Sequence, residues 1–149
     1  TLLYGAERLQ KATLRVRRPE LSAKGDAGNH LYVPLLHDGY IRMQGRKVFT
    51  EAVRNMISSL TRVCEREGMA IDDLSMVVPH QANQRILEAI HSRIGLTVYN
   101  NIANHGNTSS TSIPLCLEEL VPELRPGERL GLCAFGGGFT FGAGIAEKL

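Results

Sequence analysis

The sequence lacks several features that would place it in a specialised class of protein. No apolar run among its 149 residues approaches the roughly 20 residues needed to span a bilayer, so we expect no membrane segment. There are 17 Lys and Arg residues and 15 Asp and Glu residues, and the net charge of +2 is too small to indicate nucleic-acid binding. With 43% hydrophobic and 21% charged residues, the composition is typical of one folded globular domain.

The chain start and the cysteines lead to further expectations. The first residues, Thr1-Leu2-Leu3-Tyr4, show no charged leader followed by a long apolar segment, so we expect no signal peptide and a cytoplasmic protein. They also lack an initiator Met, which indicates a processed chain or a piece of a longer one. The three cysteines are an odd number without metal-ligand spacing. We interpret them as reduced core thiols in preference to a disulfide or a reactive thiol: Cys64, Cys116 and Cys133.

Hydrophobic periodicity predicts an α/β domain in which helices are layered on a mixed β-sheet. Three helices are predicted, at 46–66, from just after His80 to near Gly95, and at 110–123. Strands are predicted at 74–78, 98–99, 130–135 and 139–146. Before residue 45 the pattern is weaker, with strand material at 1–19, a loop at 19–30 and a short extended segment at 31–36. Residues 104–107 are predicted as a loop. The last helix is expected to turn four residues to the core: Ile113, Leu117, Leu120 and Val121.

Two polar residues lie next to predicted elements at points where an α/β fold presents side chains to a crevice. His80 comes directly after a buried strand and a proline, so it is either a hydrogen-bond donor or base in that crevice or a structural histidine. Asn107 precedes a helix, where asparagine is commonly a cap or turn residue. Two neutral donors at one point would also stabilise a developing oxyanion or enolate, and neither residue is a nucleophile.

Glycine and positive charge supply two further candidates. The run Gly136-Gly137-Gly138 between two strands forms either a tight hairpin or a backbone N–H donor for an oxyanion. It is not a phosphate-binding loop, because no Lys-Ser/Thr pair follows and the run precedes a strand. Four cations form either ordinary surface charge or a basic rim for an acidic carrier protein or the phosphates of coenzyme A: Arg42, Arg46, Lys47 and Arg85.

Three long blocks occur in a recognisable order: Val78-Pro-His-Gln-Ala-Asn-Gln-Arg-Ile86, His105-Gly-Asn-Thr-Ser109 and Ala134-Phe-Gly-Gly-Gly-Phe139. Together they resemble the C-terminal half of β-ketoacyl-[acyl-carrier-protein] synthase III, a condensing enzyme of the thiolase superfamily. The segment Met43-Gln-Gly-Arg-Lys-Val-Phe49 also resembles the stretch before that family's coenzyme-binding helix. The resemblance runs from about Leu31 to the C-terminus and implies a thiolase-like α/β fold, with residues 1–149 as a single C-terminal domain.

The resemblance implies decarboxylative Claisen condensation of an acyl-coenzyme A starter with malonyl-carrier protein in fatty-acid synthesis, without a metal or other cofactor. His80 and Asn107 match the His and Asn of the family's Cys–His–Asn triad, which would bond the malonyl thioester carbonyl and stabilise the enolate. Gly137 would supply an oxyanion-hole N–H, and Phe135 would pack beside the reactive sulfur. Further residues match the family's segments for carrier-protein docking (Gln81 and Arg85) and for the pantetheine tunnel (Arg46, Phe49, Ala82 and Asn83).

The nucleophile is the point at which this sequence departs from the family. The family's Cys lies at a helix start in an N-terminal half, and none of the three cysteines here has that setting. We therefore expect about half of a two-half enzyme, inactive alone, that needs an N-terminal half or second chain and is a homodimer when complete. Two alternatives remain: a polyketide-type starter synthase or acyltransferase of the same superfamily, and a non-catalytic partner or remnant that only binds a carrier protein or second chain.

Overall fold

The computed structural model describes residues 12–34 and 39–149 of the chain. In chain order the elements are β1 (Leu14–Val16), β2 (Glu20–Ala23), β3 (Leu31–Tyr32), β4 (Arg42–Met43), α1 (Gly45–Arg66), β5 (Met76–Pro79), α2 (Gln84–Ile94), α3 (Ile102–His105), α4 (Ser112–Leu120), β6 (Arg129–Gly136) and β7 (Thr140–Lys148). Short 3-10 turns lie at Gly25–His30, Ile71–Asp73 and Ser109–Thr111. Within these described residues, no helix combines the length and apolar character needed to cross a bilayer.

The main sheet has five strands and is mixed, which confirms the predicted α/β class. Its order is β1, β7, β6 and β5, and β2 also pairs with β7. Strands β5 and β6 are parallel, whereas β7 is antiparallel to β6, β1 and β2. The predicted strand at 98–99 is reduced to one parallel bridge between Val98 and Val77. Because β5 and β6 are parallel, His80 and the glycine run follow their strands at the same edge of the sheet.

The prediction of a loop at 19–30 is wrong for its first half. Residues Glu20–Ala23 form β2, and the Gly25–His30 segment is a 3-10 turn. Pro19 has no N–H to donate, so it divides one edge into β1 and β2, and both halves pair with the long strand β7. Of the strand material predicted at 1–19, residues 1–11 lie outside the described residues, as do residues 35 and 36 of the predicted segment at 31–36.

The core has two sides, separated by the sheet. Val77 and Val78 are consecutive in β5 and therefore point to opposite faces. The Val77 side is covered by α1, whose contributions include Val53, Met56 and Leu60. The Val78 side is covered by α4, which contributes Cys116 and Leu120. The sheet therefore lies between helices, and the carboxyl ends of the parallel strands β5 and β6 lie together at one edge.

Gly131 shows how closely α1 lies on this sheet. A Cβ atom at this position of β6 would lie 2.7 Å from Cδ1 of Leu74 and 3.0 Å from the methyl carbons of Leu60. A side chain at this position would force the Leu74 and Leu60 side chains to shift, so glycine suits the close approach of the layers.

Helix α2 matches its prediction closely. It begins after Asn83, whose Oδ1 accepts the N–H of Ile86 at 3.1 Å, and it ends at Gly95, which has a φ of 73°. Its buried face consists of Ile86, Leu87 and Ile90. This helix starts four residues after His80, so the segment between them is a tight connection.

The region between α2 and β6 differs from its prediction in two ways. Residues Ile102–His105 form the short helix α3 in place of a loop. Helix α4 spans Ser112–Leu120, which is shorter than 110–123, and its buried residues are Ser112, Cys116 and Leu120. Ile113 and Leu117 are only partly buried, because the small side chains of Ser112 and Cys116 allow the other face of the helix to lie against the sheet.

Candidate active site

His80 lies directly after β5 at the open edge of the sheet. Its backbone N–H donates to the carbonyl of Cys133 in β6 at 2.8 Å, which extends the ladder by one residue. Its half-buried ring meets the ring of Phe135 edge-on, with centroids 5.6 Å apart and planes at 67°. Burial lowers the pKa of His80 below its ordinary value, so the imidazole is neutral at physiological pH. The ring of Phe135 therefore packs against an imidazole that is uncharged.

Ser112 bonds the Nδ1 nitrogen of the His80 ring. Its Oγ lies 2.6 Å from His80 Nδ1 and also accepts the backbone N–H of Gln81 at 3.3 Å. We assign the Ser112 hydroxyl as the donor to Nδ1, because one of its lone pairs already accepts from Gln81. The neutral ring then carries its hydrogen on Nε2, as a fixed donor.

The sequence analysis missed Ser112 as a site residue. Its side chain is 2% exposed, at the first turn of α4. The signal lay in the helical spacing, because Ser112, Cys116 and Leu120 form one face at intervals of four residues. A serine on the core face of a helix is expected to find a buried partner.

A groove of about 810 Å³ runs past His80. It lies between β2, the segment that enters α4 and the β6–β7 hairpin, and its lining includes Leu21, Ser109, Ile113, Phe135 and Phe141. Leu21 is 79% exposed, so one wall of the groove is an uncovered apolar surface. The groove combines a neutral imidazole with aromatic and aliphatic walls and several hydroxyl side chains, which suits a largely apolar ligand that carries polar groups.

Asn107 is exposed on the segment between α3 and α4. Its Oδ1 accepts the N–H of Ser109 at 3.0 Å, which is the turn interaction that asparagine often makes before a helix. Ser109 has a φ of 56°, a left-handed conformation that costs free energy in a residue with a Cβ. Ser109 lines the groove, but Asn107 is not among its lining residues. The structure therefore brings His80 and Phe135 together and leaves Asn107 with its turn contact.

The glycine run forms a tight hairpin. Gly136 pairs with Thr140, and the turn between them includes Gly138 with a φ of 89°, which only glycine adopts easily. Gly137 is exposed, and its carbonyl accepts the Thr140 hydroxyl at 3.3 Å. Gly136 lines the groove, so the hairpin tip lies at its border. The oxyanion role of Gly137 stays a prediction.

Gln81 is buried, and this corrects its expected role in docking. Its side chain is 0% exposed, its Nε2 donates to the carbonyls of Pro79 and Tyr99 at 2.9 and 3.2 Å, and its Oε1 accepts the N–H of Asn101 at 3.1 Å. A side chain so enclosed cannot touch a docked protein. The docking expectation is therefore wrong for Gln81, whereas Arg85, its expected partner, is exposed in the first turn of α2.

The four residues expected at the pantetheine tunnel lie in the first turns of α1 or just before α2. Phe49 and Ala82 are partly buried against the same core cluster. Asn83 caps α2, so its oxygen is already engaged. Arg46 is exposed in the first turn of α1, close in sequence to the other exposed cations of the basic rim, Arg42 and Lys47. The tunnel role of these residues stays a prediction.

The three cysteines are buried and unpaired, as the sequence analysis predicts. Burial raises the pKa of Cys64, and it raises that of Cys116 to about 11 and that of Cys133 to about 12. Thiols with such pKa values carry almost no thiolate at neutral pH, so none is an activated nucleophile. Across the described ranges, no group of three or more His, Cys, Asp or Glu side chains is placed to hold a metal ion.

The sequence of this chain is similar to those of proteins named beta-ketoacyl-[acyl-carrier-protein] synthase III. Residues 64–148 match the family described as 3-oxoacyl-[acyl-carrier-protein] synthase III C terminal. The chain is 44% identical over 128 residues to the beta-ketoacyl-[acyl-carrier-protein] synthase III of Nitratidesulfovibrio vulgaris (strain Miyazaki F), a match that covers 83% of this chain and 37% of that protein. With the synthase of the same name from Oceanobacillus iheyensis, the identity is 43% and the coverage is 83% and 41%.

The fold is similar to that of a solved synthase III structure. The 3-oxoacyl-[acyl-carrier-protein] synthase III of Aquifex aeolicus superposes with a TM-score of 0.83 at 34% identity, over 92% of this chain and 46% of that one. This confirms the expected thiolase-like fold. The chain spans about two fifths of the length of the two relatives above. It belongs to the family of 3-oxoacyl-[acyl-carrier-protein] synthase III C-terminal domains.

Proposed function

We propose that this chain supplies the enolate-stabilising half of a synthase that condenses an acyl-coenzyme A starter with malonyl-carrier protein, with loss of carbon dioxide. The observation that carries the proposal is His80, whose neutral ring lines the groove and bonds Ser112 through Nδ1, so that we assign its hydrogen to Nε2. A neutral N–H donor suits the oxygen of a thioester, on which negative charge develops during decarboxylation.

The proposed reaction begins at the Nε2–H donor of His80. His80 Nε2–H and the amide N–H of Asn107 bond the malonyl thioester oxygen, and the electron pair left by departing carbon dioxide moves onto that oxygen as an enolate. The enolate carbon then attacks the carbonyl of an acyl group held as a thioester on a cysteine. The backbone N–H of Gly137 stabilises the tetrahedral oxyanion, which collapses to the ketone and releases the thiolate. The Oδ1 of Asn107 is occupied by Ser109, so the Nδ2 end is the one that donates.

The nucleophilic cysteine comes from outside this chain in the proposed reaction. All three cysteines here are buried with raised pKa values, and none lines the groove. We therefore place the cysteine in an N-terminal half that covers the exposed apolar wall around Leu21. The complete enzyme is proposed to be a homodimer that needs no metal or organic cofactor, with coenzyme A thioesters as substrates.

Carrier-protein binding is proposed at the start of α2. Arg85 is exposed there and offers a cation to an acidic carrier surface. The pantetheine arm is proposed to pass Arg46, Phe49, Ala82 and Asn83 at the starts of α1 and α2, and Phe49 and Ala82 pack against the same core cluster. Three buried free thiols are compatible with a reducing compartment, and we place the reaction in the cytoplasm.

The test uses a joined protein, in which this chain follows the part of the Nitratidesulfovibrio vulgaris relative that precedes the matched region. We expect it to release carbon dioxide from malonyl-carrier protein, and we expect His80→Ala to slow the release by about 10²–10³-fold, the effect of losing one oxyanion donor. His91→Ala is the matched control, because His91 is an exposed residue of α2 whose ring bonds the carbonyl of Leu96. No release by the joined protein, or full release by His80→Ala, would contradict the proposal.

A further inference from the structure

Glu119 on α4 accepts hydrogen bonds from three side chains of one neighbouring segment. Its Oε1 accepts from Asn101 Nδ2 at 3.0 Å and from His105 Nε2 at 2.9 Å, and its Oε2 accepts from the hydroxyl of Tyr99. Asn101 precedes α3 and His105 is its last residue. One carboxylate therefore holds both ends of this short helix.

The same segment is bonded to the residue that follows His80. The backbone N–H of Asn101 donates to Oε1 of buried Gln81, and the Nε2 of Gln81 donates to the carbonyls of Pro79 and Tyr99. An unbroken series of hydrogen bonds therefore runs from the strand end that carries His80, through Gln81 and Asn101, to Glu119. From Glu119 it continues to His105, two residues before Asn107.

Helix α3 depends on these external contacts. It has four residues, and a single helical turn is not stable without help from its surroundings. Hydrogen bonds from Tyr99, Asn101 and His105 lower the pKa of Glu119, and the bond to Glu119 raises the pKa of Tyr99 to about 12. At neutral pH an ionised carboxylate therefore faces three donors. An amide in its place would offer only one acceptor oxygen.

We propose that Glu119 is a positioning residue, which fixes α3 and the following Asn107 segment relative to His80. Its importance for the reaction rests on the function proposed above, in which His80 and Asn107 bond the same thioester oxygen. Two donors must meet one atom within hydrogen-bond distance, so a displacement of either by about 1 Å is costly. Glu119 touches neither residue and acts through α3.

The structural arm of the test uses the full chain. Glu119→Gln is compared with Glu118→Gln, which changes the same charge at an exposed neighbour. In Glu119→Gln we expect the amides of His105 and Gly106, which donate to Asn101 and Ile102, to exchange with solvent about tenfold faster or more. We also expect the Tyr99 phenol, followed by NMR of ¹³C-labelled tyrosine, to titrate at a lower pH than in the unaltered chain, because the bond to the Glu119 carboxylate raises its pKa. Glu118→Gln should change neither quantity.

A second pair of variants, at His105, tests the same contact in case Glu119→Gln does not fold. His105→Phe removes the N–H donor to Glu119, whereas His105→Gln keeps one within reach. Exchange of the Gly106 amide should accelerate in His105→Phe and return toward the original rate in His105→Gln. Equal rates in both variants would overturn the proposal, as would unchanged exchange in Glu119→Gln.

The catalytic arm uses the joined protein and malonyl-carrier protein. We expect Glu119→Gln to lower the kcat for carbon dioxide release about tenfold, with a KM within about twofold, because the donors are misplaced while the groove is intact. Unchanged kcat, with His80→Ala still slow, would overturn the positioning role and leave the proposed function standing. No release even with Glu119 intact would overturn both, whereas the exchange and titration results do not depend on catalysis.

Discussion

Replacing Ser112 with alanine would remove one hydroxyl that makes two contacts. The hydroxyl lies 2.6 Å from His80 Nδ1 and 3.3 Å from the backbone nitrogen of Gln81, at a side chain that is 2% exposed. Without it the N–H of Gln81 loses its acceptor in a buried place, which costs about 1–3 kcal/mol. We expect Ser112→Ala to lower the free energy of unfolding by about that amount, measured by urea denaturation.

The same substitution should change His80 itself. In the unaltered chain, ¹⁵N NMR should show a neutral ring with its hydrogen on Nε2, and Ser112→Ala should shift the ring toward a mixture of the two tautomers. In the joined protein we expect carbon dioxide release to fall by about 10–100-fold, since a misaligned donor forfeits part of the roughly 10²–10³-fold effect of an oxyanion donor. Ser110→Ala is the control, because Ser110 is exposed at the border of the same groove.

Two results would refute this reasoning. One is an unaltered His80 tautomer in Ser112→Ala, which would mean that the hydroxyl does not select the protonated nitrogen. The other is equal slowing by Ser110→Ala, which would mean that the loss reflects a general disturbance of the groove. A loss of stability without either spectroscopic or kinetic change would leave Ser112 as a packing residue only.

Three further perturbations have defined outcomes. Phe135→Ala should expose His80 and raise its pKa toward 6.5, measured by NMR titration. Because burial lowers the pKa of His80 in the folded state, the free energy of unfolding should decrease as the pH falls below the ordinary pKa of histidine. This decrease should be smaller in Phe135→Ala. Gly131→Ala should lower the free energy of unfolding by about 1–3 kcal/mol through overpacking, whereas Gly45→Ala, which meets nothing within 4 Å, should not lower it. Incubation of the chain alone with an acyl-coenzyme A at pH 7.5 should give no cysteine adduct by mass spectrometry, because burial keeps the thiols protonated, and rapid acylation would contradict this.

The parts of the fold that the sequence predicts well are those whose own side chains carry the pattern. Helix α1 repeats apolar residues at three- and four-residue steps over 22 residues, and it lies within one residue of its prediction. Strand β2 is the opposite case. Its four residues, Glu-Leu-Ser-Ala, alternate polar and apolar over too short a stretch to predict a strand, and they form one because β7 offers a partner.

For the site, the sequence identifies the residues that touch a ligand more readily than those that hold them. His80 follows the end of a predicted strand, and the sequence alone is enough to identify that position. Ser112, 32 residues later, meets it only because α4 crosses the sheet above β5. Gln81 was misassigned for the same reason, because the sequence does not show that its side chain bonds three backbone groups inside the fold.

The divided edge strand has a consequence for the order of folding. Arg17 bonds Glu147, a partner 130 residues away in sequence, and the pairing of β1 and β2 requires β7, which lies at the other end of the chain. Closing a loop of that length costs more entropy than forming the β6–β7 hairpin, so the hairpin should form earlier. During synthesis on the ribosome, β1 and β2 must wait unpaired until β7 has emerged. The backbone N–H and C=O groups that β1 and β2 give to β7 therefore stay unpaired throughout that interval, when pairing with other chains competes most strongly with folding.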